Sequence, residues 1–153
     1  MATVKRFEDL VCWQRSRELT REVYSAFKAN PDRGLKDQIQ RASVSVMSNI
    51  AEGFESGTKQ EFLNYLYIAK ASAGEVRSQL YVASDVGYLN IETFKSLKSL
   101  AEECSKLISS FIKSLKRSDV RGLQYKREQK EDPYKVFLRE KHPEHYKKLY
   151  PSG

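Results

Sequence analysis

The two histidines of the sequence, His142 and His145, both lie in the run "REKHPEH". Arg139 and His145 there bracket five residues. An arginine can stabilise charge on a phosphate while a histidine moves a proton, so this pair has the residue types of phosphodiester cleavage. Two histidines without a nearby cysteine make a poor metal site. Cys12 and Cys104 form no CxxC and fall on apolar stripes, where free cysteine is ordinarily a buried thiol. There is no GxGxxG, Walker loop or HExxH. The carboxylates are scattered among basic residues, as on solvated helix faces. The expectation is a protein that binds and does not catalyse, with no catalytic residue, metal or cofactor assigned.

Charge gives that expectation a direction. The 153 residues carry a formal charge of +7, with nine basic and six acidic residues in 118–153 and the rest of the excess in 1–117. A mildly basic balance in both parts favours a polyanionic partner, RNA or DNA. The candidate phosphate contacts are basic residues at helix ends and on exposed faces: Arg33, Lys36, Arg41, Lys70, Arg77, Lys113, Lys116 and Arg117. No run of about 18 apolar residues suggests a membrane span, and the start "MATVKRFEDLVCWQ" has no apolar signal run, so the cytoplasm is expected.

Four amphipathic segments must position these groups. The first spans about Asp9 to Ala29, with Trp13, Ser16, Leu19, Thr20, Val23 and Phe27 at three- and four-residue steps; "NPDRG" ends it. The second spans about Leu35 to Glu55. The third begins at Thr58 in a capping box with Glu61, carries Phe62, Tyr65, Ala69, Ala73, Val76, Leu80 and Ala83, and fades at Gly87. The fourth begins after Asn90 with a heptad-like seam of Phe94, Leu97, Ala101, Cys104, Ile108, Phe111 and Leu115, and its last turn suits Lys113, Lys116 and Arg117. Short connections argue for an all-α, antiparallel up-down-up-down four-helix bundle over 1–117. The charged extension 118–153 carries Tyr125, Tyr134, Phe137, Tyr146 and Tyr150; Asp132 and Pro133 predict a short helix within it. It is expected to be partly helical or disordered, or to dock its aromatics on the bundle or on a partner.

The second segment is unusual. At 100° per residue, Leu35, Ile39, Ala42, Val46, Ile50 and Gly53 share one side, and Val44, Met47, Ala51 and Phe54 extend it. The apolar arc is about 200° wide, whereas one packed face needs little more than about 100°. Two buried faces are expected, one toward the bundle and one toward the tail or another subunit. Burial on two sides at the centre of a monomeric bundle is the simpler alternative. Gly53 and the alanines permit close helix approach.

Four stretches, "FEDLVCWQ", "GLKDQIQRASVSVMSNIAEG", "EFLNYLYIAKASAGEVRSQL" and "VGYL", resemble in order the bacterial four-helix-bundle family of 23S rRNA intervening-sequence proteins. The most specific piece is Q-I-x-R-A-x-x-S-(I/V)-x-x-N-I-A-E-G. Met47 stands where the family often has proline, and "FESG" replaces its usual "GR". The resemblance implies a cytoplasmic homo-oligomeric ring, typically a homopentamer, without established catalytic residues and of generally unknown function. The accessory variability determinants of diversity-generating retroelements resemble this fold and imply nucleic acid and a reverse transcriptase as partners. What carries over is Ser45, Asn49, Glu52 and Gly53, as motif positions expected at a helix junction or oligomer interface. Ser45, Asn49 and Glu52 lie on one line of the helix, where Asn49 and Glu52 can hydrogen-bond to a neighbour and fix register. The Arg139–His145 spacing is similar to that of the HEPN ribonucleases, but Pro143 interrupts it and it lies outside the bundle; an RNA-processing enzyme is the alternative function. A third is an interaction module without nucleic-acid contact.

Overall fold

The computed structural model describes residues 4–118 and 131–151. A 3-10 turn, Phe7–Asp9, precedes four long helices: α1 Val11–Phe27, α2 Arg33–Glu55, α3 Lys59–Asp85 and α4 Ile91–Arg117. Two short ones follow, α5 Pro133–Lys141 and α6 Pro143–Leu149. The first segment is therefore split where a single helix from Asp9 was expected. Leu10 is extended (φ −76°, ψ 124°), which closes the 3-10 turn and starts α1 afresh. The second begins at Arg33 and not Leu35, because the Asp32 carboxylate accepts from the Leu35 N–H at 3.0 Å.

The remaining ends follow the expected chemistry. Thr58 Oγ1 accepts from the Glu61 N–H, and Glu61 reaches back to the Thr58 hydroxyl at 3.0 Å rather than to the backbone. Gly87, at φ +78°, lets the Tyr88 N–H reach Ala83 O at 2.8 Å and its own N–H reach Ser84 O, a Schellman end to α3. Asn90 caps α4 through the Thr93 N–H. Lys59, at the start of α3, donates to the carbonyls of Lys116 and Ser118 and so satisfies the end of α4.

Each long helix packs on its sequence neighbour, and α1 closes the ring on α4. The alternation is antiparallel: Tyr67 early in α3 meets Lys116 late in α4, and Tyr81 late in α3 meets Phe94 early in α4. The core has two apolar clusters. One holds Val46, Ile50, Phe54, Phe62, Leu66 and Ile108; the other holds Leu19, Val23, Phe27, Ile39, Val76 and Leu80. Small hydroxyls lie between them. Buried Ser16 donates to Cys12 O, Ser43 donates to Gln40 O, and Thr20 donates to Ser43 O across α1 and α2. A buried hydroxyl costs little once it has a backbone carbonyl to donate to. Among the described residues, no helix is long and apolar enough to cross a membrane.

Within the chain, the wide apolar arc of α2 packs against α1 and α3 and is only partly buried. Ile39, Ala42, Val46, Ile50 and also Phe54 are in the core, while Met47 and Ala51 are half-buried and Val44 is at the surface. The N-terminal 3-10 turn packs on α1 and α2. On α3, Ile68 is 49% and Val82 48% exposed.

Both cysteines are buried thiols. Burial pushes Cys12 from its ordinary 9.0 up to about 12 and Cys104 up to about 11. The fold thus favours the neutral thiol. Stability from this source is full below pH 9, where unfolded thiols begin to ionise, and is lost as pH rises through about 11 to 12. Native protein at about pH 8 is expected to resist a disulfide reagent that titrates both thiols at once in urea. Rapid reaction of either thiol without denaturant contradicts this burial.

Candidate nucleic-acid interface

Two of the four motif residues of α2, Ser45 and Gly53, sit against α3. Gly53 is buried, and a Cβ there would lie 2.6 Å from Phe62 Cδ2 and 2.8 Å from Tyr65 Cβ, so no larger residue fits without movement. Two turns earlier, Ser45 Oγ and the buried Ser72 Oγ of α3 are 2.9 Å apart. Asn49 does not cross to α3; its side-chain amide donates to Ser45 O at 2.8 Å and to Ser45 Oγ at 2.9 Å. It thereby orients the hydroxyl that does cross. Glu52 is exposed, and no hydrogen bond or ion pair joins it to α3 among the described residues. Ser45 and Gly53 therefore define this junction within the bundle, Asn49 acts through Ser45, and Glu52 faces solvent.

The predicted basic residues separate into two groups. Arg33, Lys36 and Arg41 lie at the α1–α2 end. Lys36 Nζ donates to Lys28 O at the end of α1, and Arg41 pairs with Asp37 at 3.0 Å, so two of the three already have partners. Arg33 is exposed in the first turn of α2.

Lys70 and Arg77 belong to the second group, on α3. They lie on one helical stripe with Tyr67 and Tyr81, at steps of three, seven and four residues. The direction of that stripe is fixed by its ends. Lys116 Nζ sits 5.1 Å from the Tyr67 ring centroid, and Lys98 Nζ sits 5.8 Å from that of Tyr81. The stripe therefore borders the outer groove between α3 and α4. Lys70 and Arg77 are exposed, and neither has an acidic partner within ion-pair distance among the described residues. Lys113 and Arg117 are also exposed at the end of α4. Glu102, paired with Lys98 at 3.4 Å, is the acid beside Lys98 on the α4 side.

Tyr67, Tyr81, Lys59 and Lys98 were not among the sequence-predicted contacts. The signal of the two tyrosines was present in their three- and four-residue spacing to Lys70 and Arg77, but a tyrosine on an amphipathic helix reads equally as core. Only the neighbouring α4 shows which side of α3 it takes.

The model of the 23S rRNA-intervening sequence protein family matches residues 8–110. The chain belongs to that family. A similar solved structure is that of a protein of unknown function from the S23 ribosomal protein family of Bacteroides thetaiotaomicron. It is 26% identical, has a TM-score of 0.64, and the match covers 67% of this chain and 99% of that one. Comparison with curated proteins found no match. The family match includes the Ser45–Gly53 junction, Lys70 and Arg77. It stops short of Lys113, Lys116 and Arg117 at the end of α4 and of the two terminal helices.

In those terminal helices, Asp132 caps α5 as predicted, through the Tyr134 N–H. α5 and α6 pack on each other, burying Leu138 and leaving Tyr134 and Phe137 exposed. Arg139 is held by Glu131 at 2.7 Å, which raises its pKa, while His145 is exposed on α6. Of the predicted tail aromatics, Tyr125 lies outside the described residues. Among the described residues no three acidic, histidine or cysteine side chains group as a metal site.

Proposed function

We propose that this family member is a non-enzymatic, cytoplasmic, self-assembling scaffold that holds nucleic acid along the α3/α4 groove, with a homopentameric ring as the favoured assembly. The observation that carries the reading is the stripe Tyr67, Lys70, Arg77 and Tyr81 facing Lys98 and Lys116. It combines Lys70 and Arg77, which have no acidic partner among the described residues and which phosphates neutralise, with exposed rings. The exposed Ile68 and Val82, on one side of the same helix, are apolar surface that self-association would bury. A ring repeats each cation in every subunit, so a modest charge per chain becomes a band of positive potential. Through the retroelement resemblance, a reverse transcriptase is the protein partner in this reading, and its gene beside this one is the supporting observation to seek.

The test is fluorescence anisotropy with labelled RNA and DNA across a salt series, beside light scattering. Wild-type affinity is expected to fall steeply with salt. Lys70→Glu with Arg77→Glu is expected to weaken binding about ten-fold or more and to flatten the log–log salt slope by about 2, one per lost phosphate contact. Absence of binding at low salt would leave an interaction module without nucleic-acid contact. A monomer by light scattering removes the ring.

A further inference from the structure

We infer that the α3/α4 groove takes single-stranded nucleic acid, its bases stacking on Tyr67 and Tyr81 while the phosphates between them lie against Lys70 and Arg77. This rests on the nucleic-acid reading above and narrows it to one substrate class.

The two tyrosines are 45% and 47% exposed. Neither is loose. Lys116 lies by the Tyr67 ring, while Lys98 and the edge of Phe94 hold Tyr81, the latter with ring centroids 5.2 Å apart. Each aromatic platform thus has a cation beside it, the pairing that a base with its own phosphate requires. Fourteen residues of helix separate the rings, about 21 Å along the axis. Between them the surface of α3 is open: a Cβ on Gly74 would meet nothing within 4 Å. Across the groove, the α4 stripe between Lys98 and Lys116 carries Glu102, which is paired with Lys98 at 3.4 Å, and the short Ser105 and Ser109. The strip is therefore a shallow channel with rings at both ends and cations within it.

A duplex does not suit this surface. The major groove, about 12 Å wide, admits a projecting helix. α3 does not project; α2 and α4 flank it at the roughly 8–10 Å spacing of packed helices. Rings lying in a bundle surface gain stacking energy only from bases already free of a partner, which a single strand offers and a duplex does not.

Labelled oligo(rU) and oligo(dT) of about 16 nucleotides, within the usual range of single-strand sites, are compared with a duplex of equal length at one salt concentration. Both single strands are expected to bind about ten-fold more tightly than the duplex. Tyr67→Ala and Tyr81→Ala are each expected to weaken single-strand binding about ten-fold while leaving the melting temperature and salt slope unchanged, and Tyr67→Phe to retain it. Equal or tighter duplex binding overturns the inference while the nucleic-acid reading stands; binding of neither removes both. If the alanine variants change the oligomeric state and not the affinity, the groove is an interface between copies, and the inference falls.

Discussion

Phe62→Ala is expected to destabilise the protein by about 3–5 kcal/mol, the range for emptying a well-packed aromatic site. Phe62 is 1% exposed and stands edge-on to Phe54 at 6.0 Å and to Phe111 at 5.4 Å. It therefore joins α2, α3 and α4 at one point, and none of the three can close the void without leaving its other contacts. For a chain of this size the loss corresponds to a fall in melting temperature of roughly 10 °C or more. Urea unfolding at unchanged m-value measures it directly. A loss below about 1 kcal/mol would mean that the helices collapse freely into the gap, contrary to the packing described.

The second large effect comes from adding one carbon. Gly53→Ala gains about 1 kcal/mol of helix propensity, yet a net loss of about 1–2 kcal/mol is expected because overpacking outweighs it. The new methyl would lie 2.8 Å from Tyr65 Cβ, an atom that cannot move without the α3 backbone, and 2.6 Å from the Phe62 ring. α2 and α3 must separate, which also stretches the Ser45–Ser72 contact on the same interface. Because the ring is half of the obstruction, Gly53→Ala in a Phe62→Ala background is expected to cost less than on its own. That non-additivity is the signature of direct contact. A Gly53→Ala protein as stable as wild type, or strictly additive with Phe62→Ala, rejects the close approach.

Both effects fall on the contact between α2 and α3. Through the family resemblance, Ser45, Asn49, Glu52 and Gly53 formed one set of expected junction residues. The structure divides them by what lies opposite. Ser45 meets Ser72, Gly53 meets Phe62 and Tyr65, Asn49 turns back on Ser45, and Glu52 meets water. Ser45, Asn49 and Glu52 share a side, but a neighbouring helix crosses that side at an angle and covers part of it. The same geometry explains the basic residues. Lys36 and Arg41 read as phosphate contacts until Lys28 O and Asp37 were seen to occupy them, whereas Lys70 and Arg77 stand open beside two tyrosines.

The sequence by itself determined the four long helices, their antiparallel order, most of their caps and the buried stripes. These depend on neighbours within one or two turns: Asn90 on Thr93, Gly87 on Ala83 and Ser84, Leu97 on the spacing to Ala101 and Cys104. Local periodicity fixes which side of a helix is apolar, and short links fix which helices are adjacent. Only the tertiary structure decided which apolar residues would be left over. α2 has the wider apolar arc, but it shares its flanks with α1, α3 and the N-terminal turn, and Phe54 is absorbed into the core. α3 packs on α2 and α4 and retains Ile68, Val82, Tyr67 and Tyr81 on its free side. The reason is that burial is a property of a helix and its neighbours together. No wheel drawn on one helix contains the second surface.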